Sequence, residues 1–191
     1  MAQQPPKPDG LMLRIARPDG TFATAMAVFL WDVAPLTCRA VIDALPIETF
    51  CWHGRNSGSE ALLVTPSLIS HLPQDASENA TMEHKLGDVL FGYEPAGFCH
   101  GGAASASASE IAWIYGEAAQ ACYWVSEKGP PHTEGPYRRQ AAMLNVFARI
   151  VEEDGFYSCS RDLIKSGQLR ISLEAHERCG DKRDAAAEDS K

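Results

Sequence analysis

The chain has 191 residues, 45% of them hydrophobic and 22% charged, which is enough for one globular domain with extensions and a core that needs neither metal nor disulfide to fold. Seventeen basic against twenty-five acidic residues leave a formal charge of −8, which opposes any partner held mainly through phosphates and so argues against nucleic acid. No stretch approaches the roughly 20 consecutive apolar residues of a membrane span, and Met1 to Gly10 is a Pro/Gln/Lys tail without an apolar signal core, so a cytoplasmic protein with no membrane partner is expected.

Leu11, Leu13 and Ile15 alternate with Met12, Arg14 and Ala16, the period of two of a strand, and Pro18-Asp19-Gly20 supplies turn chemistry before a second strand from Thr21 to Phe29. Pro35 suits the first turn of a helix whose apolar face is Thr37, Ala40, Val41, Ala44 and Leu45, and Pro46 ends it, so the spacing predicts a helix over residues 34–45. Strand-length apolar runs follow at residues 47–52, 61–65, 88–93, 110–115, 146–151 and 169–173, most of them bounded by Gly, Pro, Asn or Ser. A short helix at about residues 160–165, capped by Ser160, completes the set. Eight strands, one long and one short helix, and no strand–helix–strand alternation predict a mainly β fold, a closed or nearly closed barrel.

The expected organisation is a single domain over residues 11–175, with disordered tails at 1–10 and 176–191 that should be removable at little cost to stability. Two segments exceed a minimal barrel. Gly97 to Ser109 is rich in small residues and reads as a flexible loop or a backbone-lined rim. Glu117 to Tyr137 carries Gly129-Pro130-Pro131 and Gly135-Pro136 and reads as an excursion.

From Gly20 to Leu45 the order of elements resembles the opening of cyclophilin-like domains: a Gly-Thr-Phe hairpin, then Trp31-Asp32-Val33-Ala34-Pro35-Leu36-Thr37, then a helix ending Ile42-Asp43-Ala44-Leu45-Pro46. Glu78-Asn79-Ala80-Thr81, Gly87-Asp88-Val89-Leu90-Phe91, Ile114-Tyr115-Gly116 and Asn145-Val146-Phe147-Ala148-Arg149-Ile150 extend the resemblance to an uncharacterised bacterial family of small cyclophilin-like proteins, over about residues 11–173. The resemblance implies an eight-stranded barrel capped by helices. It does not imply prolyl isomerase activity: the Phe-His-Arg and Gln-Gly-Gly-Asp signatures are missing, and only Arg55 stands loosely where that arginine would be.

The run from Cys51 to Glu60 packs indole, imidazole, guanidinium, hydroxyl and carboxylate groups into one strand–loop–strand connection. Its functional reading gives Arg55 the clamping of a carboxylate or imide and His53 the movement of protons, with Trp52 and Ser57 touching the ligand; the other reading is a solvated hairpin tip. In a barrel of the implied type Glu78 and Asn79 approach the mouth as further contacts. Glu110 and Glu78 are the further acid–base candidates. Period two sets Ile111, Trp113 and Tyr115 on one face, with Tyr115 ending the inward row near the rim. Together these residues predict one pocket lined by Trp52, His53, Arg55, Glu78, Asn79 and Tyr115.

Cys99-His100 beside Gly101-Gly102 offers a thiol and backbone donors, but neighbouring residues on an extended chain point apart, so Cys99 would need His53 or His132 as its base. The six cysteines include no C-x-x-C pair, and Cys38, Cys51, Cys122 and Cys159 are expected as free thiols. The six histidines show no metal-ligand spacing and no phosphate-binding glycine motif is present, so neither a metal nor a cofactor is expected. Two functions stay open. One is a catabolic enzyme acting on a C–N bond of a cyclic amide, imide or ureide. The other is a non-catalytic metabolite-binding module, with self-association into a homo-oligomer through the excursion. Prolyl isomerisation is the weaker alternative.

Overall fold

The computed structural model describes residues 8–55, 57–66, 77–94, 108–127 and 136–177. Cys99-His100, most of the Gly97 to Ser109 stretch, Asn56, the middle of the excursion and most of both tails lie outside them. In chain order the elements are β1 (Gly10–Ala16), β2 (Phe22–Phe29), α1 (Pro35–Ala44), β3 (Ile47–His53), β4 (Gly58–Pro66), β5 (Ala80–Thr81), β6 (Asp88–Glu94), β7 (Ala108–Ala119), β8 (Cys122–Ser126), β9 (Tyr137–Ala141), β10 (Leu144–Asp154), α2 (Phe156–Ser166) and β11 (Gln168–His176).

The hydrogen-bonded order β2-β1-β11-β3-β4-β7-β6-β10, with β10 pairing back onto β2, closes an antiparallel barrel of eight strands. Closure leaves the ring without a free edge. The short β5 attaches to the first residues of β10, and β8 and β9 form a separate hairpin. These three strands are additions to the eight expected. The apolar run at 122–125 was submerged in a segment whose Gly-Pro pairs signal only turns.

Because every pairing is antiparallel, β1, β3, β7 and β10 run one way and β2, β11, β4 and β6 the other. The helices therefore sit at opposite ends of the barrel. α1 joins the end of β2 to the start of β3, and α2 joins the end of β10 to the start of β11. Inside, Leu11, Leu13, Ile15, Ile111, Trp113 and Phe147 are buried with Cys38 and Val41 of α1 and with Phe156, Cys159 and Leu163 of α2. A second apolar cluster, including Leu62, Leu90, Ala112, Ile114, Leu144 and Val146, is buried on the outer side of β4, β7, β6 and β10.

The second helix is as long as the first, eleven residues against ten, which corrects the expectation of a short one. Gly155, with φ of 65°, stands at its start in a left-handed conformation that glycine adopts without strain. Ser160 is accordingly no cap. It lies inside the helix, where its hydroxyl donates to the Phe156 carbonyl at 2.8 Å and accepts the Trp113 indole N–H at 2.9 Å. Cys38, Cys51, Cys122 and Cys159 are buried and outside any disulfide, and burial pushes Cys51 up to about 12, far from a reactive thiolate. No helix among the described residues is long and apolar enough to cross a membrane.

Candidate functional site

At the α2 end, β3 stops at His53 and the chain turns tightly into β4. The Gly54 N–H donates to the Glu60 carbonyl at 2.9 Å, and the Ser57 N–H donates to the Gly54 carbonyl at 3.0 Å. A Cβ on Gly54 would stand 2.9 Å from Oε2 of Glu60, so the missing side chain is what lets this almost fully buried carboxylate fold under the turn.

Opposite the turn, β7 is bulged. Gly58 faces Ala119 while Glu60 faces Ile114, which leaves Ser59 alone against Tyr115 to Ala118. The irregularity bends the end of β7 and re-aims its side chains, as bulges do beside sites. Tyr115, the first residue past the last regular pairing, keeps its inward place: its hydroxyl and Nδ1 of His53 lie 2.8 Å apart, the donor being set by the imidazole tautomer. Burial lowers the His53 pKa below the ordinary imidazole value, with the Glu60 carbonyl opposing, so the ring is held neutral at pH 7. Burial likewise raises Tyr115, the charge of Arg161 on α2 opposing and that of Glu60 reinforcing. Both shifts favour an uncharged pair.

Beside this pair opens a cleft of about 700 Å³. One wall is Trp52, His53 and Arg55; the other is the C-terminal end of α2 and the start of β11, namely Leu163, Ile164, Ser166, Gly167 and Gln168. Trp52 and Gln168 are cross-strand partners, which fixes the two walls against one another. The cleft thus combines an apolar side with a guanidinium, an imidazole and an amide, the mixture that small polar ligands require. Among the described residues no group of three or more His, Cys, Asp or Glu side chains stands close enough to hold a metal ion.

The structure brings together Trp52, His53, Arg55 and Tyr115 but not the remainder of the expected pocket. Glu78 and Asn79 lie at the α1 end. The Glu78 carboxylate accepts the backbone N–H groups of Leu36 and Thr37 at 3.1 and 2.7 Å and the Thr37 hydroxyl at 3.0 Å. The Asn79 amide donates to the Val146 carbonyl at 2.8 Å. Both are spent on structure, Glu78 as the distant cap that α1 lacks from its own N-cap residue, Ala34. Glu110 is buried on the outward row of β7 with Ala112 and Ile114, five residues and about 17 Å along the strand from Tyr115. Ser57 is buried, with its hydroxyl 3.6 Å from the Cys122 sulfur. Glu60, Arg161 and the end of α2 are the site residues that sequence reasoning missed. Glu60 had a signal, since it closes the polar loop, but nothing local says that it faces inward.

The role of Glu78 is testable. Glu78→Gln should cost about 1 kcal/mol, the usual value of a helix cap, seen as a lower denaturation midpoint with no change in ligand affinity. An affinity loss without destabilisation would return Glu78 to the site.

A closed eight-stranded antiparallel barrel with a helix at each end and a polar cleft under one of them defines the class. Residues 19–124 match the family model DUF3830, described as a protein of unknown function, and the chain belongs to that family. No curated protein matches it. Among solved structures, McbB in complex with tryptophan is 13% identical, with a TM-score of 0.53 over 90% of this chain and 45% of McbB. The likeness shows a shared fold, and the chain spans under half of McbB. The solution structure of the hypothetical protein AF2241 from Archaeoglobus fulgidus is 20% identical over 92% of this chain and 99% of that one, with a TM-score of 0.44.

Proposed function

We propose that the chain is a cytoplasmic protein that takes a small planar ligand into the cleft beside α2, and that it acts on that ligand by proton transfer through His53. The reaction class is hydrolysis of a C–N bond in a cyclic amide, imide or ureide. The observation that carries this reading is the 2.8 Å bond between Tyr115 and His53 on the wall of a cleft that also holds Arg55 and Trp52. Nδ1 is engaged by the phenol, so we assign Nε2 the proton of an attacking water, which it returns to the nitrogen released as the C–N bond breaks. Arg55 supplies a two-pronged donor for a carboxylate or imide oxygen pair, and the Trp52 ring gives a flat apolar contact. A helix plugging each end of an eight-stranded barrel supports the finer fold reading, a cyclophilin-like domain. Four buried cysteines outside any disulfide support a reducing compartment.

Non-catalytic binding is the second reading, favoured by the position of Glu110 far down β7, where no carboxylate from that residue can serve the cleft. Thermal shift against a panel of cyclic amides, imides, ureides and their ring-opened carboxylates tests the proposal, since a ligand at 100 times its dissociation constant stabilises by about 2.7 kcal/mol. Arg55→Lys should then weaken the ligand at least about tenfold, because an ammonium cannot make two parallel hydrogen bonds to a planar anion. Silence across the panel, or an unchanged affinity in Arg55→Lys, defeats the assignment.

A further inference from the structure

We propose that the outer face of β2, β1, β11 and β3 is a self-association surface whose occupant is a second copy of this chain. On the opposite side of the barrel the outer face of β4, β7, β6 and β10 is closed over by its own apolar cluster. On this side the described residues leave a concavity of about 690 Å³. Its two rims carry large exposed apolar rings, Phe22 on β2 at 55% exposure and Phe50 on β3 at 42%. Exposed phenyls facing one another across a trough are where a barrel gains by burying a partner.

Charge selects the partner. The trough holds two cations, Arg14 and Arg170, and two anions, Glu48 and Glu174. The patch is therefore neutral within a chain whose formal charge is −8, so it is a place where two copies meet without mutual repulsion. Arg14 and Glu174 are paired with one another at 3.3 Å. The Arg170 guanidinium lies over the Phe50 ring, 5.8 Å from its centroid, and Glu48 stands two residues before Phe50 on the same face of β3. In a two-fold arrangement the same patch meets itself, so a rim phenyl of each copy seats in the other's trough. Arg170 then meets the partner's Glu48, an ion pair that neither copy makes alone. Thr24 and Ser172 stand on either side of Arg14 in cross-strand register, and with Ala16 they are the short side chains of the trough.

The test is sedimentation velocity on the full chain from micromolar to several hundred micromolar. The expected result is a concentration-dependent dimer whose dissociation constant rises at least about tenfold in Phe50→Asp and in Arg170→Glu, and returns close to the starting value when Glu48→Arg is combined with Arg170→Glu. All three positions are on the exposed face, and unchanged melting curves check that folding is intact. A single monomeric species at every concentration overturns the proposal. So does a dimer indifferent to both single substitutions, a charge reversal that rescues nothing, or a monomer that instead takes up a peptide at Phe50.

Discussion

Trp113→Ala should remove about 3–5 kcal/mol, the cost of emptying a fully buried aromatic site, and lower the melting temperature by roughly 6–20 °C in a domain of this size. The indole is 0% exposed in the middle of the inward row of β7. It packs at a tilt against Phe156 with ring centroids 5.4 Å apart and donates to the Ser160 hydroxyl. It thereby fastens both the first turn and the middle of α2 to the barrel wall. Against a typical total stability of 5–15 kcal/mol the loss is severe. Trp113→Phe should cost much less, since a ring still meets Phe156 and the Ser160 hydroxyl still donates to its own helix. Urea denaturation of the two variants measures the difference. Equal losses would mean that the N–H, and not the volume, carries the stabilisation.

The row holding Trp113 was legible because period two survives along β7: Ile111, Trp113 and Tyr115 stand inward, as their alternation with Ala112 and Ile114 requires. The helix after Pro35 was legible within a residue at each end, since proline at the first position and proline after the last mark it. What the pattern could not supply was the end of the barrel at which each loop lies. Glu78 and His53 each border a strand, and only the pairing order shows that one loop serves α1 and the other α2. Glu110 failed for a related reason. Alternation with Ile111 and Trp113 sets its face, but its height on the barrel depends on a twelve-residue strand that begins two residues before it. The length of α2 was hidden because its start is set by Gly155 in a left-handed turn, not by a Ser, Thr, Asp or Asn cap. The cleft consequently gained a wall, from Leu163 to Gln168, that no motif announced.

With a panel compound that is turned over, His53→Ala should lower kcat by about 10²–10⁴, the usual contribution of a positioned general base, while the dissociation constant changes only a few-fold. Tyr115→Phe should act more weakly, through the orientation of the imidazole, since the phenol touches Nδ1 and the proposed reaction uses the other edge of the ring. The acid limb of the pH profile supplies an independent reading. Because burial holds the His53 pKa below 6.5, the neutral base is already the major form at pH 7. Turnover should therefore be flat around neutrality and fall only as the pH drops through that lowered pKa, where the ring takes up the proton it must keep free to accept. An unchanged kcat in His53→Ala removes the imidazole from the chemistry. Retained binding with no turnover in the unsubstituted chain decides for the non-catalytic reading, in which Arg55 and Trp52 hold the ligand and the His53–Tyr115 pair only shapes the wall.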